Sequence, residues 1–497
     1  MFAFQRDRAR GAVRGGRPLS GAVATVTALA LAALAPAATA SAAARAVTSA
    51  STWGSVIEVP GTAALNQDGD SEVTSVSCAT AGNCSAGGDY ADASLHLQAF
   101  VVSETGGRWG TATEVPGTAA LDTGGYAWVT SVSCTTAGNC GAGGAYVDAA
   151  QHQQAFVVNQ SGGTWGTAIE VPGTADLNTG GDAWVTSMSC TSTGDCIAGG
   201  VYTDAAHHRQ AFVVSETGGT WGTAIQVPGT AGLNKGGDAE TMSVSCATAG
   251  NCGAGGQYED AAHHLQAFVV SETGGTWGTA VQVPGTARLN KGGNAETTAV
   301  SCASAGNCTA GGAYEDASVD RWAFVVSETG GKWGTAVQVP GTAALNKGGN
   351  AEIVSVSCVT AGNCTVGGDY ADASYLPQAL VVSETGGKWG TAIEVPGTAA
   401  INKGGSAEVL SVSCRSAGDC SAGGDYLDGS FHVQAFAVNE TGGTWGTAIE
   451  VPGTAALNKG GIAEITSVSC PAAGKCGAGG EYEDAADHFQ AFVVSGT

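Results

Sequence analysis

The sequence predicts an all-β chain: an eight-bladed β-propeller built of 56-residue, four-stranded blades. Three observations carry the prediction. Tryptophan recurs at one interval without insertion, at Trp53, Trp109, Trp165, Trp221, Trp277, Trp333, Trp389 and Trp445. Every period holds four short strand-like runs separated by Gly-rich turns, with no helical spacing of apolar residues. The repeat also begins and ends part-way through a period, so the two ends of the chain complement each other.

A fixed period marks a solenoid, a propeller or an array, and the contents of one unit decide among them. In the first full copy, "EVTSVSC" (72–78) is a β-branched strand, A, closed by the turn "ATAGN". "CSAGGDY" (84–90), strand B, is made of small residues, and Gly87 and Gly88 let a neighbouring backbone come close. "QAFVVSE" (98–104), strand C, is apolar on both faces, as a strand covered from both sides must be. After the tight turn "TGG", strand D, "RWGTATEVPG" (108–117), alternates until Pro116 stops it, and "TAALDTGGYA" is a longer connection to the next copy. Four such strands describe a propeller blade. The rungs of a β-solenoid are far shorter, and the Gly content excludes a helical repeat.

Eight copies account for residues 50–497, with strand A innermost in each blade. The repeat opens on a lone D strand, "TWGSVIEVPG" (52–61), and closes on strands A, B and C of the last copy, ending "QAFVVSGT" (490–497). The register therefore predicts that the orphan D strand completes the final blade and leaves no open sheet edge.

Residues 1–40 differ in kind. A segment with five arginines and one acid precedes an apolar Ala-rich run that ends in small residues near Ala38-Thr39-Ala40. That is the pattern of a cleaved secretory signal peptide, and it is slightly short for a membrane span. Residues 41–50 read as a short linker. Five of the 19 basic and one of the 43 acidic residues fall in the leader, so the remainder carries 14 and 42, a formal −28. Such a chain has no overall field for nucleic acid or an anionic membrane. The expectation is a secreted, extracellular monomer without membrane insertion.

All sixteen cysteines follow the leader, as Cys-x5-Cys pairs: Cys78/Cys84, Cys134/Cys140, Cys190/Cys196, Cys246/Cys252, Cys302/Cys308, Cys358/Cys364, Cys414/Cys420 and Cys470/Cys476. An even count in an exported chain argues for disulfides, and zinc would want other spacings with histidines alongside. Each bridge would close a small loop, worth about 2 kcal/mol in the chain-entropy model.

The turn from Ser103 to Trp109, "SETGGRW", resembles the Asp-box (BNR) turn of sialidase-like propellers. That pattern, Ser-x-Asp-x-Gly-x-Thr-Trp, sits between the third and fourth strands, where this turn falls. Here it is one residue shorter, with Thr105 where an Asp would stand. The resemblance implies the fold and strand order over residues 51–497 and lends no activity. The "SVSC…C-x-A-G-G-x-Y" pattern also resembles secreted repeat proteins of high-GC bacteria.

Strand order places the B–C and D–A loops on one "upper" face, where propellers usually bind. Asp92, Asp148, Asp204, Asp260, Asp316, Asp372, Asp428 and Asp484 recur there, and an Asp at a loop start caps its own backbone more readily than it binds a ligand. His96, His152, His208, His264, His432 and His488 share one position in the same loop, as a candidate pH-sensitive or ligand-contacting ring; on separate blades they diverge too far for zinc. Glu72, Glu240, Glu296, Glu352, Glu408 and Glu464 precede strand A where the channel should open, and would suit calcium, the one cofactor these residues suggest, or act as solvated charges. Trp128 and Trp184 replace that Glu in two adjacent blades and offer stacking surfaces for sugars. Trp322 replaces a Gln before Ala-Phe and reads as a packing change.

Catalysis needs unlike groups in unlike settings, and eightfold repetition supplies the opposite. Mature arginines are scattered over repeat positions, paired cysteines supply no nucleophile, and no hydrolase or phosphate-loop motif is present. The reading is a non-catalytic binding propeller for glycan or cell-wall material, with equivalent shallow sites adding through avidity. A structural surface scaffold without a specific ligand and a glycoside-cleaving enzyme of the sialidase-like class stand as alternatives.

Overall fold

In the first blade, strand A runs Ser71–Thr80, strand B Asn83–Ala91 and strand C Leu97–Thr105, and strand D falls into two pieces, Arg108–Trp109 and Thr113–Glu114. The computed structural model describes residues 53–472 and 474–496 and repeats this antiparallel unit around an eight-bladed propeller. The leader and linker readings lie outside the described residues.

Register explains the cysteines. Cys78 stands directly opposite Cys84 at the end of the A–B hairpin, and the same pairing forms all eight predicted disulfides. The hairpin turn is braced by the C–D turn, where the Gly107 N–H donates to the Gly82 carbonyl at 2.8 Å. At Cys140, Cys364, Cys420 and Cys476 the bridge also meets the preceding blade. These four are buried there, with their sulfurs 3.4 Å from Ser85 Oγ, 3.3 Å from Thr309 Oγ1, 3.3 Å from Thr365 Oγ1 and 3.3 Å from Ser421 Oγ respectively. The bridges therefore also fill the space between blades, a role that spacing within one copy does not show.

Gly87 and Gly88 are small for two different reasons. A Cβ on Gly87 would lie 2.8 Å from Val129 Cγ1 of the next blade, and one on Gly88 would collide with the Glu72 carbonyl oxygen. Strand C is covered on both sides as expected: Phe100 packs towards the eighth blade and Val101 towards the second, and both are buried.

The blades are stitched by the "SVSC" serines. The backbone N–H of Val132 donates to Ser75 Oγ of the preceding blade, and that of Cys134 donates to Ser77 Oγ, both at 2.9 Å. Just before them the register slips by one residue at Thr74, a β-bulge that turns its hydroxyl onto the carbonyls of Gly87 (3.1 Å) and of Val129 in the next blade (2.6 Å).

Two further expectations need correction. Strand D is not continuous: Ala112, in its middle, leaves its own sheet and donates to the Pro60 carbonyl of the preceding blade at 2.7 Å. The D–A connection is also not wholly irregular. Thr62–Leu65 forms one helical turn after Gly61, whose φ of 95° only glycine adopts readily, and every blade repeats it. A single turn is too short to show apolar periodicity, so the sequence pattern did not reveal it.

The ring closes as the register predicts. Ile57 and Glu58 pair with Val493 and Phe492 as the outer strand of the last blade, and Trp53 bridges Gly496. Val56 donates to the Pro452 carbonyl, and Val76 and Cys78 donate to Ser467 and Ser469 as any blade does to its predecessor.

Candidate functional site

The upper face carries the B–C loops and the D–A connections, tied between blades by bonds such as Gln153 N–H to the Gly181 carbonyl and Phe489 N–H to the Gly69 carbonyl. Most of what recurs there is committed to the fold. Asp92 Oδ1 accepts from the backbone N–H groups of Ser94 (2.7 Å) and His96 (3.1 Å), and all seven counterparts cap their loops in the same way. The second oxygen of Asp148 accepts from Gln154 at 3.0 Å, and in the fifth blade Trp322 Nε1 makes the same bond to Asp316 at 2.9 Å. Trp322 is thus a substitute loop brace.

The histidines lie over their neighbours. Rings of His96, His152, His208, His264, His432 and His488 each cover a left-handed D–A glycine of the next blade, Gly125 in the case of His96. His96 and His432 also stand 3.8 and 3.7 Å from Asp92 and Asp428 of their own loops. Among the described residues no group of three or more His, Cys, Asp or Glu side chains is placed to hold a metal ion.

The symmetry breaks at the channel mouth. The second residue of each A strand stands directly opposite the seventh of strand B, and in four blades both are acidic: Glu352 with Asp369, Glu408 with Asp425, Glu464 with Glu481 and Glu72 with Asp89. Because the ring is closed, these four blades are consecutive. Like charges directly across a ladder repel, and the chain concentrates eight of them in one half of the mouth. Burial, with Glu72 and Glu408 on either side, pushes the Glu464 carboxyl up to about 7. Burial and Glu408, Glu464 and Asp369 raise Asp425 well above the usual carboxylate range. Sequence reading found the Glu half of this arc. It missed Asp89, Asp369, Asp425 and Glu481, which sit in the variable position of "C-x-A-G-G-x-Y" and acquire meaning only through the A–B register.

The other half is different. Trp128 and Trp184 occupy the same register in the second and third blades, opposite Ala145 and Val201. The Arg209 guanidinium lies 5.0 Å above the Trp184 ring, bonds Glu240 of the next blade and reaches Asp238 at 3.3 Å. Two blades on, Arg321 ties Glu296 to Glu352, the latter at 2.6 Å, and these carboxylates keep its guanidinium charged despite burial. No family model and no curated protein matches this chain. Solved structures with a similar fold include the β-propeller domain of the trilobed protease from Pyrococcus furiosus, at 5% identity and TM-score 0.43 over 77% of this chain and 98% of that one. A xyloglucanase from Xanthomonas campestris matches at 13% identity and TM-score 0.42, over 88% of this chain and 55% of its own. A Trypanosoma rangeli sialidase matches at 12% and 0.33, over 66% and 55%. This chain therefore spans little more than half the length of the xyloglucanase and of the sialidase.

The lower face holds a second carboxylate series that the sequence reading passed over. Glu104, Glu216, Glu272, Glu328, Glu384 and Glu440, at one position of strand C, are all buried, and burial raises each of them above the ordinary glutamate value. One oxygen of Glu328 accepts from Ser271 of the preceding blade at 2.6 Å, while the other oxygen of all six is buried without a hydrogen-bond partner. Two crevices of about 280 and 300 Å³ open beside these groups, lined by Glu328 and Glu384 and by Glu216 and Glu272. Neither is near the channel mouth. The disulfides of Cys308, Cys364, Cys196 and Cys252 reach the walls of these crevices, whereas Cys140, Cys420 and Cys476 border neither of them.

Proposed function

We propose that this chain is an exported, non-catalytic binding propeller that takes its ligand at the upper mouth of the central channel, and that the ligand is glycan or cell-wall material bearing amino groups. The observation that carries the reading is the replacement of the mouth glutamate by Trp128 and Trp184 in two adjacent blades, beside an arc of carboxylates. An aromatic platform suits a sugar ring, and the neighbouring carboxylates suit an ammonium substituent. The Asp ring caps its own loops, and the His rings lie over neighbouring glycines while staying about half exposed, so the two tryptophans favour one asymmetric site over eight equivalent ones. Eight disulfides and the leader pattern support export, and no helix among the described residues is long and apolar enough to cross a membrane. The closed ring leaves no pairing edge, which supports a monomer.

A glycan array of neutral and amino sugars tests the reading. Binding to amino sugars that Trp128→Ala abolishes sustains it; silence across the array removes it and leaves the scaffold alternative. A second reading, glycoside cleavage, draws on one observation: a Glu464 carboxyl raised to about 7 between the carboxyl groups of Glu72 and Glu408, the kind of contrast that acid–base pairs use. Turnover of chromogenic glycosides that is lost in Glu464→Gln would establish it.

A further inference from the structure

Five of the six lower-face glutamates accept a hydrogen bond from the blade before them. In the first blade Trp109 Nε1 donates to Ser495 Oγ at 3.2 Å, and that hydroxyl donates to Glu104 at 2.7 Å. The fifth blade repeats the relay from Trp333 through Ser271 to Glu328, at 2.9 and 2.6 Å. Asn159, Ser215 and Ser383 donate to Glu216, Glu272 and Glu440. Glu384 of the sixth blade is the exception. It is only 6% exposed, and among the described residues it alone of the six accepts no hydrogen bond. Ser327, in the donor's position, accepts from Thr309 Oγ1 at 3.3 Å and is not bonded to Glu384. A buried carboxyl without a bond costs the free protein stability that a matching donor would return.

Glu384 lines a crevice. The walls come from the fifth and sixth blades and include Ser327, Glu328, Val337 and Trp389 around a volume of about 280 Å³. That is a little under the size of sites for drug-like ligands, about 300 Å³ upward, and takes a chain of a few carbons. The second oxygen of Glu328 is also buried without a partner, so two carboxyls with acceptor capacity to spare border one opening. The crevice between the third and fourth blades differs: both of its glutamates accept a bond from the blade before, and no tryptophan lines it.

We propose that the crevice between the fifth and sixth blades binds a small aliphatic amine, with an ammonium group donating to Glu384 and to Glu328 and the carbon chain lying against Val337 and Trp389. The lining selects this chemistry. An ammonium group brings several donors and the charge opposite to a carboxylate, and a charge-assisted bond is the strong kind. An indole face adds to the attraction for a cation. An anion would meet two carboxyls, and among the described residues no three metal-ligating side chains converge to hold a divalent ion. A neutral polyol could donate to Glu384 but would bring no counter-charge. The site lies on the lower face, away from Trp128, and stands or falls independently of the glycan reading.

The test is isothermal titration calorimetry of the full chain with 1,4-diaminobutane at constant ionic strength, with butane-1,4-diol as the uncharged counterpart. The expected result is one amine bound per chain and at least tenfold weaker binding of the diol. Glu384→Gln should weaken the amine about tenfold or more. Val337→Trp, at a position 46% exposed that lines the crevice, should block it without disturbing the core. Glu272→Gln, in the other crevice, should leave the affinity unchanged. Thermal melts of each variant confirm folding, and Glu384→Gln should melt no lower than the parent, because Gln160 fills the same position in the second blade. Absence of binding, equal affinity for the diol, or an affinity that Glu384→Gln and Val337→Trp leave unchanged overturns the proposal. Two amines bound per chain, one of them lost in Glu272→Gln, would mean that the bonded glutamates bind as well as Glu384, and would overturn it too.

Discussion

Ser467 Oγ accepts a hydrogen bond at 2.9 Å from the backbone N–H of Val76, 391 residues earlier in the chain. The same kind of bond joins other inner strands to their neighbours, as Val468 N–H does to Ser411 Oγ at 2.9 Å. Closure is thus one more copy of an interblade contact, completed among the described residues by the borrowed outer strand. The expected outcome is that Ser467→Ala and Ser411→Ala lower stability equally, each by about 1 kcal/mol in urea unfolding. A Ser467→Ala variant that is silent while Ser411→Ala is not would mean an open ring in solution.

The buried glutamates of the lower face set a pH dependence. Their folded-state pKa values lie above the unfolded ones, so the stability they contribute is fully present below the ordinary glutamate value and is lost as pH rises through the raised values. The loop-capping aspartates act in the opposite direction. Although burial works upward on Asp148, bonds from Gln154 and from the N–H groups of His152 and Ala150 hold it below its usual value, so its contribution is lost only in stronger acid. The melting temperature should therefore peak on the acid side of neutrality in scans over about pH 4 to 8. The second blade carries the neutral counterpart, Gln160, which donates to Ser103 at 2.9 Å. Glu216→Gln and Glu272→Gln should accordingly raise the melting temperature near neutrality and leave it almost unchanged in mild acid.

Arg321 joins two blades through Glu296 and Glu352 in a mostly buried bridge. Arg321→Ala should cost about 3 kcal/mol in chemical denaturation, because it strands two carboxylates close together. Lysine, a single compact charge, cannot reproduce the forked contact with both partners, and Arg321→Lys should recover less than half of the loss. Full recovery by lysine would show that charge alone, without the forked geometry, holds this sector.

Adjacent glycines of strand B should differ sharply. An added methyl on Gly88 meets the backbone carbonyl of Glu72, which cannot move without breaking the A–B ladder, whereas one on Gly87 meets valine methyls of the next blade. Gly88→Ala is expected to cost about 3 kcal/mol and Gly87→Ala about 1 kcal/mol, read from unfolding midpoints. Equal costs would mean that the two strands yield more readily than their pairing suggests.

The sequence by itself determined the blade count, the strand order, the disulfide pairing and the closing strand, because each follows from a period of near-identical local units whose ends are complementary. It also marked Glu72, Trp128 and Trp184 as channel-mouth residues, since one register position is read the same way in every copy. Only the tertiary structure decided what those residues stand against. Asp425 faces Glu408 through the cross-strand register, Cys140 packs on a serine of the blade before it, and Arg209 reaches a tryptophan of its own blade and a glutamate of the next. Tyr375 turns outward through a left-handed backbone angle. Local patterns specify a blade because strand alternation and turn chemistry act over a few residues. The character of the mouth emerges only when eight unequal copies are bent into a circle and their differences become neighbours.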